Sequence, residues 1–170
     1  MKILETERLV LRELCASDAG FILQLVNEPS WLQYIGDKGI QTIEAARDYI
    51  QKGPVEMYAR FGFGLWLVEL KKEAIPIGIC GLIQRETLED VDIGFAFLPS
   101  HWRKGYAFES ASATLSHGRK MFGLKRIVAI MSPDNYRSHS LLEKLGFRFE
   151  RMFRISNNVP EVKLYASSWN

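Results

Sequence analysis

The chain has 170 residues, of which 47% are hydrophobic and 25% are charged. This length predicts a single domain over residues 1–170, large enough to bury a substantial core. The 22 basic and 20 acidic residues nearly cancel to a net charge of +2, which argues against a general nucleic-acid or membrane-surface binder.

The cysteines and the N-terminal segment indicate the cellular compartment. Glu5 and Glu7 interrupt the N-terminus before it reaches the apolar length that a secretory signal needs. Cys15 and Cys80 are isolated from each other and do not form a CxxC motif or a disulfide framework. We therefore expect a cytoplasmic protein that does not associate with a membrane.

The first third of the chain predicts one strand and two helices. The segment "RLVLREL" alternates apolar and polar residues, as a half-buried strand does. "ASDAGFILQLVNEPS" predicts a helix that is capped by Ser17 or Asp18 and ended by Pro29. "TIEAARDYIQKGP" predicts a second helix, with its exit at Gly53 and Pro54.

The middle of the chain predicts three strands. "GFGLWLVEL" and "IPIGICGLI" flank a charged turn at residues 71–73 and predict a hairpin. The next strand, "DVDIGFAFLP", carries Asp92 and Gly94 on one face, which leaves room beside the backbone. Its other face is apolar and comprises Val91, Ile93, Phe95 and Phe97.

The last third predicts two helices and three strands. One helix runs from about Gly105 to Phe122, and "KRIVAIM" follows as a buried strand. "NYRSHSLLEKLG" predicts a helix capped by Asn135 and ended by Gly146, and the final two segments alternate like an antiparallel pair. The order β-α-α-β-β-β-α-β-α-β-β predicts an α/β (α+β) fold, whose C-terminal edge strands are compatible with a monomer or a homodimer.

The segment "SHWRKGYAFES" predicts an anion site where a strand meets a helix. The first N–H groups of a helix are unpaired and attract negative charge. Gly105 permits close approach of a ligand to the backbone, and Arg103 and Lys104 supply charge-assisted donors. The alternative, that the two cations are solvated loop residues, is not decided by spacing alone.

Two longer segments resemble a known superfamily. "DIGFAFLPSHWRKGYAFES" followed by "SPDNYRSHSLLEKLGF" resembles the cofactor motifs of the GNAT superfamily of acetyl-CoA-dependent N-acetyltransferases. "TERLVLREL" and the tryptophan of "HWRKGYA" are most similar to the branch of RimJ and RimL, which acetylate ribosomal proteins at their N-termini. The resemblance implies a mostly antiparallel sheet with a splayed strand pair, about four flanking helices, and acetyl-CoA as cosubstrate without a metal.

The resemblance also assigns cofactor-binding residues. Phe97 and Leu98, on a strand expected to carry a bulge, would pair with the pantetheine arm. Asn135 would contact the pantetheine or the reacting group, and Trp102 takes the place of the usual Gln or Arg. The pyrophosphate would bind main-chain N–H groups of five residues, which are Arg103, Lys104, Gly105, Tyr106 and Ala107.

The implied chemistry is direct attack of an amine on the thioester. A backbone N–H near residues 95–97 would hold the oxyanion. Leu142 stands where many relatives have a tyrosine acid, so Ser138 becomes the candidate proton donor, and a plain helix-surface residue is the alternative. Asp92 is the candidate base, with a solvent-facing structural carboxylate as the alternative. Glu109, in the first turns of its helix, is expected to be structural.

The acceptor is predicted to be a primary amine, in particular a peptide α-amine, whose pKa of about 8 makes deprotonation easy. Trp31 and Tyr34, expected in a loop, would form one wall of the acceptor cleft or else pack under the first two helices. Two rival functions remain open. One is acetylation of a small amine such as an antibiotic or polyamine, and the other is a coenzyme A-binding module without catalysis.

Overall fold

The computed structural model describes residues 1–169 and contains one eight-stranded sheet. Neighbouring strands are antiparallel except for β5 and β6, which confirms the mostly antiparallel fold predicted above. Their order in the sheet is β1-β2-β3-β4-β5-β6-β8-β7. The strands are β1 (Lys2–Glu5), β2 (Leu9–Glu13), β3 (Leu65–Leu70), β4 (Ile75–Ile83), β5 (Asp92–Phe97), β6 (Arg126–Met131), β7 (Arg148–Phe153) and β8 (Val162–Ser168).

Helices pack on both faces of this sheet. The first three form one hydrophobic core with β3 and β4, whereas the fifth and sixth contribute to a second core on the other face. Across residues 1–169, no helix combines the length and apolar content that crossing a bilayer requires. The helices are α1 (Ala19–Val26), α2 (Pro29–Tyr34), α3 (Ile43–Ile50), α4 (Glu56–Phe61), α5 (Tyr106–Phe122) and α6 (Tyr136–Lys144).

Pro29 begins a helix rather than only ending one. Helix α1 stops at Val26, and Pro29 is the first residue of the short helix α2. A proline suits this position because its missing N–H would be unpaired there and its φ is already helical. Trp31 and Tyr34 therefore lie on a helix, and their predicted loop location is wrong.

Pro54 does not end the second predicted helix. After α3 the chain forms a widened π-helical turn, Gln51–Val55, which contains Pro54 and continues into α4. A widened turn accommodates a residue that lacks the N–H needed for a regular α-helical bond. The helical segment ends at Gly62, whose φ of 77° is the left-handed stop that glycine permits.

The side chain of Asp18 binds Arg12 on strand β2 instead of capping α1. Its carboxylate accepts hydrogen bonds from Arg12 at 2.8 and 2.9 Å and from the N–H of Cys15 at 2.9 Å. The first helix is thereby tied to β2. Strand β1, which the sequence pattern did not reveal, pairs with the other edge of β2.

Strands β5 and β6 diverge, as expected. The two pair at a single register position, Asp92 opposite Val128, where the Val128 N–H donates to the Val91 carbonyl at 3.0 Å. The register between β4 and β5 runs without a shift from Asp92 to Phe97, so the expected bulge is absent from this described strand. The gap between β5 and β6 therefore opens toward the carboxyl ends of both strands.

Candidate active site

A cleft of about 1690 Å³ occupies the gap between β5 and β6. Its walls include the segment before α5, the first turns of α6, and parts of α2 and α3. Ten of the twelve candidate site residues from the sequence line this cleft, and the two that do not are Leu98 and Lys104. Within the described part of the chain, no group of three or more His, Cys, Asp or Glu side chains is arranged to hold a metal ion.

The segment before α5 forms a backbone cradle. Gly105 is the N-cap of this 17-residue helix and has a φ of 82°, and Arg103 has a φ of 61° that is rare for a residue with a side chain. A Cβ on Gly105 would lie 3.2 Å from a guanidinium nitrogen of Arg8. The backbone is thus shaped to let an anion approach the free N–H groups of the helix.

Arg8, which directly precedes strand β2, supports this cradle. Its Nη1 donates to the Lys104 carbonyl at 2.8 Å, its Nε donates to Glu109 at 2.7 Å, and its guanidinium lies 4.5 Å from the centre of the Tyr106 ring. Arg8 was missed from the sequence, where it stands among several charged residues near the N-terminus. Its contacts hold the main chain of the cradle in place.

Glu109 forms an ion pair with Arg8 and binds the N-terminal segment. Besides the Arg8 side chain, it accepts from the Arg8 N–H at 2.9 Å and from the Thr6 hydroxyl at 2.6 Å. Burial opposes its ionisation, but these hydrogen bonds outweigh burial and lower the pKa of the carboxyl below its usual value. Its structural role is therefore a specific anchor to the N-terminal segment, beyond a favourable interaction with the helix dipole.

The two basic residues of the cradle differ in position. Arg103 and Lys104 are both exposed, but only Arg103 lines the cleft. Lys104 contributes its carbonyl to the contact with Arg8. Tyr106 and Ala107, in the first turn of α5, both line the cleft.

Trp102 connects the cradle to its surroundings. Its indole Nε1 donates to the Phe97 carbonyl at 2.9 Å, and the guanidinium of Arg137 lies 4.5 Å from the centre of its ring. The tryptophan thereby joins the end of β5 to the first turn of α6. A Gln at this position would have no aromatic ring for the Arg137 guanidinium to contact.

The end of β5 presents alternate backbone groups to the gap. The Leu98 N–H donates to the Ile77 carbonyl at 2.9 Å, on the side of β4. Because backbone groups alternate sides along a strand, the N–H groups of Phe95 and Phe97 point toward the gap. Leu98 also accepts from the His101 N–H at 2.9 Å, and its side chain packs with the first three helices. Leu98 therefore faces away from the cleft, contrary to the prediction, whereas Phe97 lines it.

Asp92 lies at the closed end of the gap and is only 1% exposed. The Nε of Arg85 is 3.2 and 3.3 Å from its two carboxylate oxygens. Burial raises the pKa of Asp92 to about 6, although the charge of Arg85 opposes the rise. The solvent-facing alternative for this carboxylate is wrong, and its pKa suits a group that exchanges protons near neutral pH.

Asn135 and Ser138 line the opposite wall, at the start of α6. The Asn135 side-chain oxygen accepts from the Ser138 N–H at 3.3 Å and so caps the helix, as predicted. This bond leaves the Asn135 amide nitrogen available to a ligand. Leu142, which stands at the tyrosine position of relatives, is 1% exposed and presents no proton donor.

The side of the cleft formed by α2 and α3 contains residues from distant elements. Trp31 is buried among α1 to α3 and also lines the cleft, so both readings of this residue apply, and the half-buried Tyr34 lines it as well. The sequence did not single out Lys38, Tyr49 or Arg85, which share this wall. They are widely separated along the chain, and only the fold brings them together.

Comparison with known proteins agrees with this architecture. The sequence model for the acetyltransferase (GNAT) domain matches residues 8–148. The N-acetyltransferase YoaA of Bacillus subtilis (strain 168), itself uncharacterized, is 35% identical over 164 residues, which cover 93% of this chain and 91% of that protein.

Solved structures of acetyltransferases have the same fold as this chain. A GNAT-family acetyltransferase from Bacillus anthracis superimposes with a TM-score of 0.79 at 29% identity, covering 99% of this chain and 98% of that one. A complex of the ribosomal L7/L12 acetyltransferase RimL with coenzyme A has the same fold, with a TM-score of 0.83 at 20% identity over 99% of this chain and 98% of that one. The chain belongs to the GNAT family of acetyltransferases.

Proposed function

We propose that the chain transfers the acetyl group of acetyl-CoA to the N-terminal α-amine of a protein or peptide. The transfer of an acetyl group from acetyl-CoA is supported by the cradle at Gly105 and by the gap between β5 and β6, which opens toward the carboxyl end of β5. The acceptor half of the proposal is carried by one observation, the buried carboxylate of Asp92 with its pKa of about 6.

The residues of the cleft fit acetyl-CoA. The main chain of residues 103–107 would bind the pyrophosphate through N–H groups at the start of α5. The open edge of β5 at Phe95 and Phe97 offers backbone groups to the amides of the pantetheine arm, as a strand edge does to an added strand. Asn135 faces the same arm from α6 with its free amide nitrogen.

The pKa of Asp92 favours an α-amine over a lysine side chain. An α-ammonium has a pKa of about 8 and a lysine ammonium about 10.4, so a carboxylate near 6 removes a proton from the former more easily. The name of the RimL neighbour describes an alpha-N-protein acetyltransferase, which agrees with this choice.

The reaction then follows from the positions of these groups. The amine nitrogen attacks the thioester carbonyl carbon, and the N–H of Phe95 stabilises the negative oxygen. Asp92 receives the amine proton through water, because the three residue steps to Phe95 span about 10 Å along the strand. The carbon–sulfur bond breaks, and Ser138 donates a proton to the departing thiolate. Ser138 then regains a proton from water as Asp92 releases its own.

A product assay tests the proposal against its rivals. The wild-type protein is given acetyl-CoA with three acceptors, and acetylated products are identified by mass spectrometry. The acceptors are a peptide with a free N-terminus, the same peptide with a blocked N-terminus and an internal lysine, and a polyamine. We expect the free α-amine to react with the highest kcat/KM.

The other outcomes have distinct meanings. Faster acetylation of the lysine or the polyamine would contradict the choice of acceptor. Absence of every product, while calorimetry still detects acetyl-CoA binding, would favour a non-catalytic coenzyme A module. The buried Leu142 at the tyrosine position is the observation that keeps this last rival in the test.

A further inference from the structure

Two cations share the acceptor end of the cleft. Lys38 comes from the loop between α2 and α3, and Arg85 comes from the connection between β4 and β5. The Nε of Arg85 binds both carboxylate oxygens of Asp92, so the charge of Arg85 is offset. Lys38 requires a separate account.

Lys38 has no carboxylate partner among the residues that the structure describes. Its neighbour Asp37 instead accepts a hydrogen bond from the Gly39 N–H at 2.8 Å. Although Lys38 is largely exposed to solvent, partial desolvation at the cleft wall and the charge of Arg85 lower its pKa. Lys38 thus lines the cleft within reach of the charge of Arg85, and a nearby anion would stabilise its ammonium.

We infer that the acceptor carries a carboxylate close to its reacting amine, and that Lys38 binds this carboxylate. The inference deepens the proposed function and rests on it, since it describes a peptide with Asp or Glu just after its N-terminal residue. The amine reaches the thioester while the acidic side chain lies against the loop of Lys38. Successive residues of an extended peptide advance by about 3.3 to 3.6 Å, so only the first few side chains after the reacting amine stay near it. The acidic residue is therefore sought at positions 2 to 4.

Lys38 acts here as a specificity-determining residue. A charge-assisted hydrogen bond in a partly solvated cleft is screened, so we expect a preference of about 5- to 20-fold for an acidic over an amide side chain. The preference should be expressed mainly in KM, because the contact does not change between substrate and transition state. Lys38 does not take part in the chemical step.

The experiment measures kcat/KM for peptides that have Asp, Asn or Lys at position 2, 3 or 4. The proteins are the wild type, Lys38→Met, Lys38→Glu and the control Lys72→Met, which changes an exposed lysine outside the cleft. We expect the Asp peptide to exceed its Asn partner at one position in the wild type and in Lys72→Met. The ratio should fall to about one in Lys38→Met, and Lys38→Glu should prefer the Lys peptide.

An equal Asp to Asn ratio in the wild type and Lys38→Met would overturn the inference. If no peptide is acetylated, the proposed acetylation of peptides is wrong. A second set of measurements, the second arm of the experiment, then tests the role of Lys38 independently of peptides. This arm compares small amines with and without a carboxylate, and it also separates the α-carboxylate of a free amino acid from an acidic side chain. If Lys38→Met also removes a preference for small amines that carry a carboxylate, Lys38 still binds a carboxylate. If Lys38→Met changes the preference for neither peptides nor small amines, Lys38 does not recognise a carboxylate.

Discussion

Replacement of Gly105 by alanine tests whether the backbone of the cradle binds the cofactor. Gly105 caps α5 with a φ of 82°, and an added Cβ would lie 3.2 Å from the guanidinium of Arg8. The left-handed conformation costs a residue with a Cβ roughly 1–2 kcal/mol. This contact is with the end of a long side chain, which has to move by only a few tenths of an ångström, so the backbone strain is the main effect.

This strain is expressed either in stability or in affinity. If the free variant keeps the left-handed conformation, about 1–2 kcal/mol lowers Tm by about 2–8 °C in a domain of this size. If the free variant relaxes, Tm falls less and binding must restore the conformation, so the affinity for acetyl-CoA falls by about 5- to 30-fold, since 1.4 kcal/mol is tenfold.

Gly123 provides a matched control at the other end of the same helix. It has a φ of 65°, and a Cβ there meets nothing within 4 Å. Gly123→Ala should lower Tm by a similar amount without changing the affinity measured by isothermal calorimetry. The reasoning is refuted if Gly105→Ala loses less stability than the control and still binds acetyl-CoA within about twofold of the wild type.

Three further predictions concern charge, the base and the acid. Arg103→Ala should weaken acetyl-CoA binding and reduce the dependence of the affinity on salt concentration. Lys104→Ala, which changes a residue outside the cleft lining, should change both less. If the affinity depends equally on salt in the wild type and both variants, Arg103 does not contact the cofactor. Because the pKa of Asp92 is raised to about 6 and Asp92 takes its proton from the acceptor ammonium, log kcat/KM should rise with pH at a slope of about one below 6 and level off from there to the acceptor pKa of about 8. Asp92→Asn can acetylate only amine that is already neutral, so its slope of one should continue to about 8, and a bend that persists near 6 would assign it to another group. Ser138→Ala should lower kcat by about 10- to 100-fold with little change in acetyl-CoA affinity, and Leu142→Tyr in that background should restore part of the rate; an unchanged single-turnover rate would leave Ser138 without a chemical role.

Local features of the site were accessible from the sequence. A glycine after two cations and before a helical stripe predicted the anion cradle, because the conformation at Gly105 and the free N–H groups of α5 depend on adjacent residues. Asn135 was predicted as a cap for the same reason, and its side chain does accept from Ser138. The alternation around Asp92 also predicted which face of β5 is apolar.

Proline positions show where local signals are ambiguous. Pro29 and Pro54 were interpreted as helix ends, but one begins α2 and the other lies within a widened helical turn. A proline excludes a regular internal helical bond, yet it permits a first helical residue or a widened turn equally well. Packing against the sheet selects among these possibilities, and packing is not contained in a short window of sequence.

The sequence by itself determined the order of most elements, the cradle and the family, since these depend on residues that are close along the chain. The tertiary structure decided the burial of Asp92, the outward position of Leu98 and the place of Lys38 in the cleft with Arg85. It also brought Arg8 to Glu109 across 101 residues of chain. The charge state and reach of a side chain depend on the groups around it in space, and those neighbours exist only after the chain has folded.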